Sequence, residues 1–255
     1  MASRREFLAA CGAAAACRAL TSAQASPLPE DLAAANRILA MEGVLDGMGH
    51  VSARTGAGAK SFLLARSMAP QLVTVGDIME FRLDGEPVNP QGRTSYQERF
   101  IHSEIYRARS DVLAVVHCHT PSLIPFAASD VKMRAMYHMA AFVALGVPVF
   151  DIRREAGTTD LLVGDTRLGR ALARTLGDKY AVLMRHHGAV VVANSVPNAV
   201  ARAVYLDLNA RIQLQAASLG GRATYIDPAE AQLRMADPNE YTRAWDLWKH
   251  ELQVP

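Results

Sequence analysis

The chain has 255 residues, of which 50% are hydrophobic and 20% are charged, a composition typical of a globular protein. Its formal net charge of +2 excludes a broad basic field, so we expect no nucleic-acid partner. No apolar run reaches the roughly 20 residues that a membrane-spanning helix needs, so we expect no membrane span.

The first 25 residues have the features of an export signal. A twin-arginine pattern begins at Arg4-Arg5, a weakly apolar stretch of small residues follows over 9–20, and residues 23–25 form an Ala-x-Ala cleavage site. These features predict a twin-arginine signal peptide over residues 1–25, a single domain over 26–255, and a periplasmic location.

Two other interpretations of this segment stay open. The cysteines at 11 and 17 each end a lipobox-like tetrapeptide, which would make the protein lipid-anchored, and a disordered Ala-rich tail would leave it cytoplasmic. Cleavage after residue 25 would leave Cys118 as the only cysteine, so an intrachain disulfide is excluded from the mature chain.

Beyond this segment, helical and strand patterns alternate. Helices are predicted where apolar spacing and end signals agree, over 31–45, 98–109, 121–128, 166–176, 196–219 and 240–252. Strands are predicted at the end of 47–54 and over 61–65, 112–119, 147–152, 181–185 and 189–192. A hairpin is predicted over 74–81 and 83–88, because Asp84-Gly85 is a strong turn signal. The alternation predicts an α/β layered domain.

Three histidines have the placement of metal ligands. His117 and His119 end an apolar strand, and residues two apart on a strand project from the same face. Two neutral imidazoles on one edge are half of a site for Zn²⁺ or a similar divalent metal, and His187, just before Gly188 at another strand end, is the predicted third ligand. The competing interpretation of His117 and His119 is that they are surface or hydrogen-bonded histidines.

Glu98, the His117-x-His119 pair and His187-Gly188 together resemble the class II aldolase/adducin family, over about residues 32–219. The resemblance implies a three-layer α/β/α fold with a mixed, mainly antiparallel central sheet. It also implies a catalytic divalent metal on the three histidines, with Glu98 as acid/base and as an additional ligand. A homotetramer with active sites at subunit interfaces is expected on the same ground. The alternative for Glu98 is a carboxylate stabilised by a helix N-terminus.

The sequence departs from the family's sugar-phosphate members where they hold phosphate. It has Gly49-His50, Arg66-Ser67 and Tyr96-Gln97 in place of small residues. The segments 62–67, 98–106 and 137–139 instead resemble a subgroup of decarboxylases that act on hydroxylated aromatic dicarboxylates. The resemblance makes these residues candidates beside Glu98: for substrate binding His50, Ser52, Arg66, Ser67 and His102, and for catalysis Tyr137 and His138.

Each of these candidates has a plainer alternative. Arg66 could be a surface arginine, His102 a solvated helix histidine, and Tyr137 and His138 packing residues. The guanidinium of Arg66 nevertheless has the fork of donors that suits a carboxylate.

The predicted function is a divalent-metal-dependent carbon–carbon lyase that acts on a small hydroxy substrate bearing a carboxylate. Three imidazoles favour zinc as the metal, with Mn²⁺ and Mg²⁺ as alternatives. A sugar-phosphate aldolase or epimerase is the alternative within the family. An adducin-like interaction module without catalysis is the alternative of another class.

Overall fold

A computed structural model describes residues 28–237 and 241–253, so the predicted signal over 1–25 lies outside the described residues. Seven strands form one sheet in the order β3-β2-β1-β4-β7-β6-β5. The strands are β1 (His50–Arg54), β2 (Ser61–Ala65), β3 (Ile78–Arg82), β4 (Ala114–Cys118), β5 (Val149–Phe150), β6 (Ala181–Met184) and β7 (Gly188–Ala193). Neighbouring strands are antiparallel except β5 and β6, which are parallel. The predicted mixed, mainly antiparallel sheet is confirmed.

Eight α-helices accompany the sheet in the described part of the chain. They are α1 (Leu28–Met41), α2 (Arg99–Ala108), α3 (Ile124–Ala128), α4 (Arg153–Ala156), α5 (Thr166–Leu176), α6 (Val196–Ser218), α7 (Pro228–Arg234) and α8 (Thr242–Glu251). No helix of the described residues is both long enough and apolar enough to cross a bilayer.

Two apolar clusters cover the two faces of the sheet and produce the three layers. Helices α1, α3, α6 and α8 pack on one face, and α2 and α5 pack on the other. Alternation along β4 sorts its side chains between them, because Val116 and Cys118 belong to the first cluster and Val115 to the second. His117 therefore lies on the face that α2 covers.

The pairing register places a second histidine beside His117. His50 on β1 is directly opposite His117 on β4, and Ser52 is opposite Val115. Residues opposite each other in an antiparallel pair share one face of the sheet. His50, Ser52 and His117 therefore lie together beneath α2.

The predicted hairpin is partly wrong. Its first arm forms a strand only over Ile78–Arg82, and the preceding residues form a short 3₁₀ turn in which Asp77 accepts hydrogen bonds from Thr74. The second arm makes a single bridge, between Phe81 and Pro87. Two backbone hydrogen bonds flank this bridge, from the Arg82 N–H to the Glu86 carbonyl oxygen and from the Val88 N–H to the Glu80 carbonyl oxygen.

Further helical segments were not predicted: α4, α7 and 3₁₀ segments over Pro70–Leu72 and His138–Leu145. Helix α7 does carry a sequence signal, because Asp227 and Glu230 form a capping box around Pro228. The predicted helix over 121–128 is a 3₁₀ turn followed by the short α3.

Candidate metal centre

The strand edge predicted to carry two histidines does so. His117 is the second-last residue of the buried strand β4 and His119 follows the strand, and their Nε2 atoms are 3.1 Å apart. His117 is fully buried, whereas the His119 side chain is 21% exposed. The surface-histidine interpretation is therefore wrong for His117.

His187 completes the group from the turn between β6 and β7. Its Nε2 is 3.1 Å from the Nε2 of His119. Gly188 makes this approach feasible, because a Cβ at that position would lie 2.0 Å from the Cys118 carbonyl oxygen. The absence of a side chain at 188 thus lets the two strand ends meet with their histidines facing each other.

Glu98 occupies the N-cap position of α2 without a side-chain capping hydrogen bond, and its carboxylate reaches the same point. Its Oε2 lies 3.3 Å from His117 Nε2 and 3.4 Å from His187 Nε2, and its Oε1 accepts a hydrogen bond from the Val163 N–H at 2.9 Å. Burial opposes ionisation of this carboxyl, but the two imidazoles overcome that effect and hold its pKa far below the usual range. Glu98 is thus an ionised carboxylate against the histidine rings.

The other ring nitrogens of the histidines fix their tautomers. His117 Nδ1 lies 3.2 Å from the Ala189 carbonyl oxygen, His187 Nδ1 lies 2.9 Å from the Leu161 carbonyl oxygen, and His119 Nδ1 lies 3.3 Å from Asp46 Oδ1. These oxygens can only accept, so each Nδ1 donates, and each Nε2 is left to carry a proton in the metal-free chain or to offer its lone pair to a metal.

Three lone pairs and a carboxylate oxygen thus converge, with all four ligand atoms within 4.8 Å of one another. Such atoms repel one another unless protons or a metal cation lie between them. The donor set of three imidazole nitrogens and one carboxylate fits a divalent metal with a coordination position left for substrate.

A cavity of about 470 Å³ opens on this group. Its walls combine polar groups with apolar ones: Gly47, Met48, His50, Ser67, Met68, Ala69, Tyr96, Gln97, Glu98, His119 and Leu162. The His50 ring packs against Tyr96 at 4.4 Å and against His117 at 5.1 Å between ring centroids. Aromatic rings and apolar side chains beside a metal-binding group suit a flat substrate with polar substituents.

Two of the predicted substrate-binding residues lie behind this wall. His102 is fully buried, so its interpretation as a solvated helix histidine is wrong, and its ring contacts His50 and Ser52. Burial, and then the charge of His117, lower the pKa of His102 to about 3. His102 and Ser52 therefore do not line the cavity, and His102 hydrogen-bonds to His50, which does.

Three other candidates are not brought to the cavity within one chain. Arg66 donates from Nε to Asp77 at 2.7 Å, with 41% of its side chain exposed, and it is not among the cavity residues. Tyr137 and His138 contact each other ring to ring, and Tyr137 also packs on Tyr205. A wider cleft of about 650 Å³ elsewhere contains none of the predicted site residues.

Several residues with evident roles in the geometry were not predicted. Asp46 orients His119, and the backbone at Leu161 and Val163 orients His187 and Glu98. The loop residues give no sequence signal, because their carbonyl and N–H groups act whatever the side chain. Tyr106 could have been found, since it follows Glu98 and His102 at the four-residue spacing that shares a helix face.

Comparison with known proteins agrees with this geometry. The family model described as Class II Aldolase and Adducin N-terminal domain matches residues 30–214. The decarboxylase tropJ of Talaromyces stipitatus is 33% identical over 241 residues, which cover 85% of this chain and 91% of the relative. The 3,4-dihydroxyphthalate decarboxylase of Arthrobacter keyseri is 31% identical over 240 residues, covering 88% and 92%.

Solved structures show the same fold. An aldolase II superfamily protein from Pseudomonas syringae superposes with a TM-score of 0.73 at 26% identity, covering 88% of this chain and 91% of the other. The L-fuculose 1-phosphate aldolase of Glaciozyma antarctica superposes with a TM-score of 0.71 at 23% identity, covering 88% and 89%. The chain therefore belongs to the class II aldolase and adducin family.

Proposed function

We propose that this protein is a divalent-metal-dependent decarboxylase of small aromatic acids that carry a hydroxyl next to the carboxylate. The observation that carries the proposal is the convergence of three imidazole Nε2 atoms and the Glu98 carboxylate at the floor of a cavity walled by His50 and Tyr96. Two relatives named as decarboxylases support the choice of reaction.

His117, His119 and His187 would hold the metal, and Glu98 would contact it or the substrate. A bound divalent metal acts as a Lewis acid that draws charge from neighbouring oxygens as a carbon–carbon bond breaks. Three nitrogen donors favour zinc, and the carboxylate keeps Mn²⁺ or Mg²⁺ as alternatives.

The protein's own groups would position the substrate and move a proton. Glu98 is held on its Oε1 side by the Val163 N–H, so its Oε2 would be the oxygen that accepts the substrate's hydroxyl proton and returns it to carbon. Tyr96 and His50 would stack on or bond to the aromatic ring, while Met68 and Leu162 exclude water from it. Ser67 lines the cavity and would bind an oxygen at the edge of the substrate. Arg66 is its neighbour in the chain and would assist it.

The test compares two reactions on the zinc-loaded protein. We expect CO₂ release from ortho-hydroxy aromatic acids such as 3,4-dihydroxyphthalate and no cleavage of ketose 1-phosphates. Cleavage of a ketose phosphate without any decarboxylation would instead favour a sugar-phosphate aldolase. His117→Ala should lose both metal and activity, whereas His250→Ala removes an exposed imidazole outside the site and should lose neither. Full metal content in His117→Ala would contradict the site, and the absence of metal from the wild type would favour an adducin-like module.

We propose further that the protein is a homotetramer with active sites at subunit interfaces. Tyr137 and His138 do not line the cavity of their own chain, so a catalytic role for them requires the cavity of a neighbouring copy. Light scattering measures the mass of the assembly. A fully active monomer would exclude this arrangement.

Export to the periplasm by the twin-arginine route is also proposed, from the pattern over residues 1–25. Cell fractionation and sequencing of the mature N-terminus, expected at Ser26, test the proposal. An uncleaved chain in the cytoplasm would contradict it, and a lipid-modified cysteine would identify the anchored alternative.

A further inference from the structure

A chain of buried hydrogen bonds runs from the interior of the protein to the cavity wall. Tyr106 Oη lies 2.8 Å from Ser52 Oγ, which lies 2.6 Å from His102 Nδ1. His102 Nε2 then lies 2.7 Å from His50 Nδ1. The four residues come from two elements, since Ser52 and His50 are on β1 while Tyr106 and His102 are one helical turn apart on α2.

Both imidazoles of this chain are neutral. Both rings are buried and no carboxylate hydrogen-bonds to either of them within the described residues, so a positive charge on them would be unpaired. A divalent cation on the neighbouring histidines would disfavour a positive charge on them still further. Each ring therefore has one N–H and one lone pair, and the hydrogen bonds of the chain can run in only one of two directions.

The two directions differ at Tyr106. In the first, Tyr106 donates to Ser52, Ser52 donates to His102 Nδ1, and His102 donates from Nε2 to His50 Nδ1. Every proton of the chain then has an acceptor. In the reverse direction Ser52 donates to Tyr106, whose own O–H has no acceptor among the described residues. A buried donor without a partner disfavours that arrangement by about tenfold or more.

The first direction leaves the proton of His50 on Nε2. The Nε2 atom of His50 makes no hydrogen bond within the described residues. It is not a buried atom left without a partner, and the His50 ring lines the cavity, so a ligand there can accept its proton. We propose that Tyr106, Ser52 and His102 are positioning residues that fix His50 as the Nε2–H tautomer. His50 is then a neutral hydrogen-bond donor that binds an anionic oxygen of the substrate.

The anionic oxygen it would bind is a carboxylate oxygen, an assignment that rests on the proposed decarboxylase function. The ring centroid of His50 is 5.1 Å from that of His117, so the donor is close to the metal-binding histidines. A neutral donor can orient the carboxylate without competing with the metal for the negative charge of that carboxylate. The reverse tautomer would instead present a lone pair, which suits a hydroxyl and repels a carboxylate.

The tautomer can be measured without any substrate. In zinc-loaded protein labelled with ¹⁵N-histidine, long-range ¹H–¹⁵N correlation spectra distinguish a protonated Nε2 from a protonated Nδ1. The His50 signals are assigned by their loss in His50→Gln. We expect His50 and His102 both to be protonated on Nε2. A proton on Nδ1 of His50 would overturn the inference, even if the enzyme decarboxylates the test acids.

Substrate binding is tested with two variants of His102. His102→Leu removes the donor to His50, and we expect the KM for the aromatic acid to rise about tenfold while kcat changes less. His102→Gln places an amide N–H near the original Nε2 and should restore most of the affinity. Equal KM values in wild type and His102→Leu, or no rescue by His102→Gln, would contradict the role of His102.

Ser103→Ala is the matched control. Its hydroxyl is buried on the same helix and bonds to the Phe100 carbonyl oxygen, outside the chain of hydrogen bonds, so its KM should equal that of the wild type. If no test acid is decarboxylated by the wild type, the proposed function fails while the spectra still decide the tautomer.

Discussion

Asp46→Ala should weaken metal binding although Asp46 is not a ligand. Its Oδ1 accepts a hydrogen bond from His119 Nδ1 at 3.3 Å and from the N–H groups of Met48 and Gly49 at 2.8 and 3.2 Å. The other two histidines are oriented by backbone carbonyl groups. His119 has the most exposed side chain of the three, so its orientation depends most on a partner.

The expected magnitude follows from these contacts. Removing the group that orients a metal-bound histidine weakens metal affinity by about 10- to 100-fold. The Asp46 side chain is 57% exposed, and water can replace part of its contact with His119. We therefore expect the lower end, about tenfold, or about 1.4 kcal/mol of binding free energy.

Competition with a chelator of known affinity measures the zinc Kd. Asp46→Asn keeps an acceptor oxygen for both the ring and the turn, so it should retain most of the affinity that Asp46→Ala loses. Asp84→Ala removes another exposed aspartate that accepts a backbone hydrogen bond in a turn, but away from the histidines. Its zinc Kd should equal that of the wild type.

An unchanged Kd in Asp46→Ala would refute the idea that this carboxylate orients His119. An equal loss in Asp84→Ala would mean that the effect is general destabilisation of turns.

Three further predictions concern the same centre. Glu98→Gln keeps the shape of the side chain but removes its charge, so kcat should fall by about 10²- to 10⁴-fold while zinc is retained. A kcat equal to that of the wild type in this variant would contradict the role of Glu98 in proton transfer. Gly188→Ala would place a Cβ 2.0 Å from the Cys118 carbonyl oxygen, so both the Tm, measured by calorimetry, and the zinc content, measured by metal analysis, should fall. Gly56 has open space around it, so Gly56→Ala should change neither quantity. In metal-free protein, the pKa of Glu98 is lowered from 4.5 and the pKa of His187 is raised from 6.5. Both groups are therefore charged between pH 4.5 and pH 6.5, and their ion pair stabilises the fold fully in that range. The Tm difference between wild type and Glu98→Gln should therefore be largest between these pH values and narrow as His187 deprotonates, and a difference independent of pH would contradict the pairing.

The family, the α/β fold and the class of enzyme, a metal-dependent lyase of aldolase or decarboxylase type, were predicted from the sequence and are confirmed by the comparisons. Apolar periodicity located β4, and the two-residue spacing of His117 and His119 fixed their common face. The roles of the individual substrate-binding and catalytic residues stay predictions. So do the tetramer, the identity of the metal and the signal peptide.

Local sequence was a poor guide where the partner of a residue is distant. His102 has the pattern of a solvated helix histidine, but packing of α2 on β1 buries it against His50 and Ser52. The pairing of Arg66 with Asp77 of the neighbouring turn was not predicted either, while a role of Arg66 in substrate binding stays a prediction. In both cases the contact depends on how two elements pack.

The sequence by itself determined which side chains could bind a metal, because strand periodicity and the residue types His, Glu and Gly are local properties. Only the tertiary structure decided that their lone pairs converge. Strand register sets His50 opposite His117, Gly188 lets β7 approach β4, and the carbonyl oxygens of Ala189 and Leu161 fix the tautomers. Backbone groups are the same at every residue, so their position, and with it the final form of the site, exists only once the sheet and α2 have packed together.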